Sequence, residues 1–406
     1  MLMLLGASTV AFLAIVVSAS DDAHQAFWPP SNIASLIDPA DGRINLALRP
    51  RVVSPPHTGY SANYYELLIT SLASDVKVNR EHSQLRRMVD AQQSLLQQPN
   101  RPQYSLYPQV LNMRQIVRQV QSGIPLEEEP INDPPLIPIH TPDRVCQQSA
   151  NKWPDLVILV ESCLDCASAR QHARETYMQS SLWLEMYVQF VFSIAISDNR
   201  LGVKERKTFA HLYPGLEKEH KEHGDLLIGG PFDSKMLQTW NRIQAFRWLS
   251  VFCQERVPLY LFINSKYSIA PRNLITFLRG IPRDLQLILN AGLRPQTLMV
   301  PRSGLDPVDH DEIPWNRYPE HYNDTVFFVG AELLIKASIT MAFTRPYRNS
   351  AAYLGFVWAK LDYPSLHLPE IIKEKGNYSE ISASSVVGTA YLDRYMDWSN
   401  GFLFSP

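Results

Sequence analysis

The rhythm of hydrophobic and polar positions changes several times along the chain. From residue 153 onward, short apolar runs alternate with segments of helical spacing. The runs predict strands at 155–160, 187–196, 225–228 and 259–263, and the periodic segments predict helices at 167–178, 203–223, 234–252 and 271–279. In the 234–252 helix, Ile243, Phe246, Arg247 and Ser250 fall three to four residues apart, with Trp240, Trp248 and Leu249 adding bulk, so at least one side is buried. Alternation of this kind predicts an α/β sheet covered on both faces. The run 259–263 stops abruptly at Asn264, Ser265 and Lys266. Ligands collect at the carboxyl ends of strands in open α/β sheets, so these three residues mark a binding crevice.

The first 142 residues follow other patterns. Residues 2–20 form an uncharged apolar segment close to bilayer length, read either as a signal anchor or as a signal peptide cleaved near Val17-Ser18-Ala19. Both readings send the chain into the secretory pathway. No Lys or Arg precedes the segment, so the charge cue for orientation is missing. Residues 21–142 are read as a lumenal stem. Within it, Leu68, Leu72, Val76, Leu85, Val89 and Leu96 recur at roughly helical spacing, predicting a helical segment near 61–98. That helix either lies on the globular part or pairs with another chain as a homo- or hetero-dimer. Proline-rich sequence from 99 to 142, with the acidic run Glu127-Glu128-Glu129, reads as a spacer. The globular domain is then 143–406.

Composition narrows the classes. The chain has 406 residues, 45% hydrophobic content and a net charge of −2, enough for one large domain plus an extension. A near-neutral balance argues against a nucleic-acid surface. Asn323-Asp-Thr and Asn377-Tyr-Ser are glycosylation sequons.

Four clusters are candidates for chemistry. Cys163-Leu-Asp-Cys166 has redox or half-zinc spacing, yet no second paired-ligand motif follows, so a local disulfide or plain thiols is the ordinary reading. His220 and His223, in Glu-His-Lys-Glu-His, match no metalloprotease arrangement and read as a charged helix end. Asp309-His-Asp-Glu312 reads as a solvated acidic loop. Arg170 and Arg174 lie four apart on one helix face. Their guanidinium forks suit a phosphate or a uracil edge, or else pair with nearby acids.

Several ordered segments are similar to one family. Asp155–Val160, the Arg170-Gln-His-Ala-Arg174-Glu-Thr176-Tyr177 helix, His223-Gly224-Asp225, Phe246-Arg247-Trp248 with Cys253, Tyr318-Pro319 and Tyr353-Leu354-Gly355 occur in the order of the β-1,3-galactosyltransferase family, glycosyltransferase family 31. The resemblance runs from about Trp153 to Pro364. It implies an A-type glycosyltransferase fold, a mixed and mainly parallel sheet flanked by helices that binds a nucleotide sugar, behind a membrane segment and stem. It also implies a single-pass type II protein of the Golgi membrane, secreted if the segment is cleaved, with a UDP-sugar and a glycan acceptor as substrates. By resemblance, Arg170, Arg174 and Asp225 would face the nucleotide. Cys253 matches a family cysteine whose partner position is Tyr322 here, leaving it either unpaired or joined to Cys146.

Three parts of the implied reaction centre are altered. The family's Asp-Asp-Asp, which holds manganese, falls on Asn264, Ser265 and Lys266; its Glu-Asp base motif falls on Ser350 and Ala351; its Cys-Ser-Gly-Gly-Gly loop falls on Tyr322–Val326. A lysine ammonium offers no oxygen to a hard cation, so the metal ligands are missing. Two expectations follow. In one, an inverting β-1,3-hexosyltransferase moves galactose or an N-acetylhexosamine, with Lys266 supplying positive charge, Asp225 or Asp233 polar contacts, and Asp324, Glu332 or Asp362 the base. In the other, a non-catalytic relative serves as a glycan-binding or partner subunit.

Overall fold

The computed structural model describes residues 104, 111–122, 124, 126–128, 130–132, 138–142, 144–146, 152–183, 186–197, 214–253, 257–293, 295–304, 306–322, 325–363, 365–368, 387–389, 396–397 and 402–403. The apolar segment 2–20, the 61–98 helix, Asn323, Asp324 and Asn377 lie outside the described residues. Among those described, no helix is long and apolar enough to cross a membrane.

The strands are β1 (Leu156–Glu161), β2 (Val188–Ser197), β3 (Leu226–Phe232), β4 (Leu259–Asn264), β5 (Tyr267–Ile269), β6 (Asn290–Gly292), β7 (Pro295–Gln296), β8 (His321–Tyr322), β9 (Val326–Gly330) and β10 (Leu366–His367). The helices are α1 (Met113–Gln121), α2 (Ala167–Glu175), α3 (214–223), α4 (Leu237–Phe252), α5 (Pro271–Arg279), α6 (Arg283–Gln286), α7 (Ala331–Ala342) and α8 (Ser350–Leu361). Seven strands form one mixed, mostly parallel sheet in the order β10-β6-β9-β4-β1-β2-β3. Strands β1 to β4 run parallel to one another, β9 runs against both β4 and β6, and β10 is parallel to β6. The expectation of a mixed, mainly parallel sheet flanked by helices holds.

Strand β4 shows why. Leu259 to Ile263 are all fully buried, as a central strand covered on both faces requires. Side chains alternate across the sheet. Tyr260 and Phe262 join a core built with α1, α4, α7 and α8, while Leu259, Leu261 and Ile263 join a second core with Ala173 of α2 and Leu274 of α5. On the first face, Phe246, Phe262, Phe327 and Tyr322 stack in a column with ring centroids 4.8, 4.9 and 5.5 Å apart. Helix α4 is buried almost all round, including Arg242 and Arg247, which is more than the one-sided burial its spacing requires.

Two sequence expectations need correction. The 99–142 stretch is not only a spacer. It contains α1, whose Met113, Ile116, Val117 and Val120 are buried against the core at helical spacing, and whose Asn112 side chain accepts from the Gln115 N–H as an N-cap. Surrounding prolines masked that nine-residue pattern. In the same stretch His140 bridges Ile228 and covers the edge strand β3. The packed unit therefore begins before residue 143. The second correction is to the 225–228 strand, which runs on to Phe232 through a bulge at Gly229-Gly230. Gly230 has φ of +132°, and a Cβ there would meet the Ile196 carbonyl at 2.4 Å, so only glycine carries the strand onward. Its extension delivers Asp233 and Lys235 to the end of the sheet.

Candidate functional site

A cleft of about 740 Å³ opens at the carboxyl ends of β1 and β4, lined among others by Glu161, Lys235, Arg242, Asn264, Lys266 and Arg348. Thr325, Ser350 and Ala351 complete its wall. The strand-end residues 264–266, the loop containing Thr325, and the first turn of α8 are far apart in sequence. All three places where the chain departs from the family motifs thus line one cavity.

Two residues that the sequence reading missed form its floor. Glu161 ends β1 beside Asn264 of β4, to which it is register-paired. Arg242 donates through Nε and Nη2 to Glu161 Oε1 at 3.0 and 2.9 Å, through Nη2 to Thr325 Oγ1 at 2.6 Å, and through Nη1 to the Ser350 carbonyl at 3.0 Å. Thr325 Oγ1 donates to Glu161 Oε2 at 2.8 Å. Arg242 is 3% exposed, so its charge requires this carboxylate. One guanidinium therefore ties β1, the Thr325 loop and α8 together. A readable signal existed: an acid closing the 155–160 apolar run, and an arginine inside a helix whose apolar spacing requires burial.

Helix α8 starts cleanly at the cleft because the Asn349 side chain accepts from the Ala351 and Ala352 N–H groups, both at 3.0 Å. Gly355 lets the helix approach the preceding segment. A Cβ there would lie 2.9 Å from the Glu320 carbonyl and 3.3 Å from Pro319 Cγ. The Tyr-Leu-Gly and Tyr-Pro matches are therefore in contact, for a packing reason. Tyr322, at the family's cysteine position, is buried and donates to Asn290 Oδ1 at 3.0 Å.

Among the described residues the lining carries Lys235, Arg242, Lys266 and Arg348 together with Glu161 and Asp306. Arg348 binds Asp306 and, at 2.9 Å, Glu312 of the acidic loop; these carboxylates outweigh burial and hold the guanidinium's pKa above its ordinary value. Lys235 and Lys266 are exposed, and the Lys266 ammonium stands 5.3 Å over the Tyr267 ring.

The arginines of α2 stand elsewhere. Arg170, 1% exposed, forms a double hydrogen bond with Glu219 at 2.8 and 2.7 Å, and also donates to Ser162 Oγ and the Cys163 carbonyl. Arg174 reaches Glu219 at 2.8 Å and Asp225 at 2.7 and 2.8 Å, and lies over the Phe192 ring. Burial opposes ionisation of Glu219, yet the two guanidiniums hold its carboxyl below the usual range. Arg170, Arg174 and Asp225 are brought to one another and are not in the cleft lining; Lys266 is. Asp233 caps the turn at Ser234–Met236, Glu332 pairs with Lys336, and Asp362 pairs with Arg114, so none of the three stands in the cleft wall.

The cysteines pair as Cys146–Cys253 and Cys163–Cys166. This resolves both alternatives that the sequence left open. Cys163, Asp165 and Cys166 form the one grouping of three potential metal ligands among the described residues, and its sulfurs are joined to each other.

The residues in the cleft do not fit the manganese that the resemblance implies. Asn264 offers a neutral amide oxygen in place of a carboxylate, and that Oδ1 already accepts from the Lys266 N–H at 3.1 Å in an Asx turn. Glu161 is held by Arg242 and Thr325, Asp306 by Arg348, and an ammonium stands where a carboxylate would bind the ion.

A mixed, mostly parallel sheet under two helical layers, with a cleft at its strand ends, defines an α/β protein. By sequence, the chain is 26% identical over 226 residues to UDP-GalNAc:beta-1,3-N-acetylgalactosaminyltransferase 1 of Homo sapiens, and equally to its Mus musculus counterpart. It is 23% identical over 249 residues to beta-1,3-galactosyltransferase brn of Drosophila melanogaster, with 57% of this chain and 70% of that protein covered. The chain resembles the β-1,3-galactosyltransferase family, as its motifs indicate. The alignment takes in 53% of this chain and spans 63% of the length of the human relative. No family model matches. A solved structure, the WbbM bifunctional glycosyltransferase in its apo form, aligns over 61% of this chain and 47% of that chain at 10% identity and a TM-score of 0.30, too loose a likeness to argue from.

Proposed function

We propose that this chain is a β-1,3-hexosyltransferase-type protein with an A-type glycosyltransferase fold, binding a UDP-sugar in the cleft at the ends of β1 and β4. One observation carries the reading: three segments aligned to the family's metal, loop and base motifs converge on a single cleft. The reaction this layout serves is transfer of galactose or an N-acetylhexosamine to a glycan in protein glycosylation. The setting is the Golgi lumen, with the 2–20 segment as type II anchor or cleaved leader. Turnover is slow, because Ser350 and Ala351 bring no carboxylate and the acids present are engaged in ion pairs. Losing a general base alone costs on the order of 10²–10⁴-fold.

A second reading, a non-catalytic glycan-binding or partner subunit, is favoured by that same pair of residues, since neither can take a proton from an acceptor hydroxyl. Saturation-transfer NMR on the full chain with UDP-galactose and UDP-N-acetylhexosamines, followed by a UDP-release assay with glycan acceptors, separates the readings. Binding with slow release supports transfer. Binding without acceptor-dependent release supports the partner role, and no binding to a folded sample overturns the proposal.

A further inference from the structure

We infer that Cys163–Cys166 is an exchange-active disulfide, a site at which a dithiol reduces this chain reversibly, while Cys146–Cys253 is a fixed structural bond. The two bonds differ in what governs thiol–disulfide exchange. Cys146 and Cys253 lie 107 residues apart, and both are buried in the core that α1, α4, α7 and α8 share. Breaking that bond needs the core to open first, and it would free a long loop. Cys163 and Cys166 lie three residues apart in the turn between β1 and α2, with Cys163 exposed and Cys166 half-buried. So short a loop adds little stability, and its outer sulfur is open to a reagent.

The local structure sets the direction of attack. Cys166 is the N-cap residue of the nine-residue α2, and its carbonyl accepts from the Arg170 N–H at 3.1 Å. An incoming thiolate attacks the exposed Cys163 Sγ and forms a mixed disulfide. The Cys163–Cys166 bond breaks, and its electron pair leaves on Cys166 Sγ, where the positive end of α2 favours a thiolate. Asp165, whose carboxylate oxygen lies within 4.8 Å of both sulfurs, opposes that charge. The dithiol's second thiolate then attacks the dithiol sulfur held on Cys163. That step closes the reagent's own disulfide and releases Cys163, and the protein thiolates take protons from water. The protein gains two electrons and the dithiol loses two.

The frame around the turn does not depend on the bond. Arg170 Nη1 donates to Ser162 Oγ at 3.1 Å and to the Cys163 carbonyl at 2.8 Å, and its guanidinium is fixed by Glu219. The Cys166 N–H donates to the Cys163 carbonyl at 3.3 Å. These contacts keep the two thiols side by side, so the bond re-forms when an oxidised disulfide replaces the dithiol.

The test treats the folded full chain with dithiothreitol, quenches with iodoacetamide at intervals and follows each cysteine by peptide mass spectrometry. Cys163 and Cys166 should be alkylated on the order of 10²-fold sooner than Cys146 and Cys253. Circular dichroism should not change, and glutathione disulfide should restore the bond. With glutathione as reductant and an acid quench, the trapped adduct should sit on Cys163. Equal lifetimes of the two disulfides, loss of the fold when Cys163–Cys166 is reduced, or failure of that bond to re-form each overturns the inference. An adduct on Cys166 overturns the direction of attack.

Discussion

Two clusters of basic side chains in this protein end in opposite situations. Arg170 and Arg174 meet Glu219 and Asp225, two guanidiniums against two carboxylates, and none of the four is more than 14% exposed. In the cleft, Arg242 meets Glu161 and Arg348 meets Asp306 and Glu312, while Lys235 and Lys266 are exposed. A buried ion must be neutralised where it stands, so the first cluster closes on itself. An open cavity keeps its charged side chains in contact with water, so they need not be neutralised in place. Helical spacing of arginines therefore says little about ligand binding. The number of acids within reach decides it.

The comparison breaks most sharply at Glu219. Glu219→Gln leaves two buried guanidiniums with one carboxylate, and urea unfolding should show a loss of about 3–5 kcal/mol, with UDP affinity of the folded protein unchanged. A change below about 0.5 kcal/mol would mean the cluster is not structural.

Lys360 sharpens the contrast as a buried cation that faces a carbonyl, that of Phe343, rather than an acid. Burial pulls its ammonium down to about 7. The unfolded chain then binds more protons than the fold between pH 7 and the ordinary lysine value near 10.5. Stability from this group is complete above that value and is lost as pH falls towards 7. Chemical denaturation at pH 7 and pH 9 should differ by on the order of 2 kcal/mol from this lysine, at up to ~1.4 kcal/mol per pH unit. Lys360→Met should flatten the difference.

A smaller effect tests whether cleft charge can be exchanged for metal. Asn264→Asp and Lys266→Asp combined with Ser350→Glu and Ala351→Asp should make UDP binding manganese-dependent by about tenfold, ~1.4 kcal/mol. Persisting indifference to manganese would show that other parts of the pocket have also drifted.

Much of this arrangement was legible in sequence. The apolar run 259–263 gave a central strand, and its polar stop at Asn264, Ser265 and Lys266 gave a cleft wall. The 234–252 periodicity gave a buried helix. Charge pairing was not legible, because Glu219, Asp225, Arg170 and Arg174 are separated by 45 to 51 residues across each pair and only the fold shows who meets whom. Nor was the Arg242–Glu161–Thr325 tie, whose members span up to 164 residues. Helix α1 was hidden for another reason: a nine-residue amphipathic pattern inside a proline-rich stretch carries little weight until a core is present to receive it.

The most direct test of the account measures UDP affinity on the full chain for Lys266→Ala and Arg174→Lys side by side at low salt. The account predicts a roughly tenfold loss for the first, and for the second an affinity within about twofold of the unaltered protein, since its guanidinium serves Glu219 and Asp225 and not the ligand. An unchanged affinity in Lys266→Ala together with a collapse in Arg174→Lys would contradict it, and would move the anion site from the cleft to the α2 arginines.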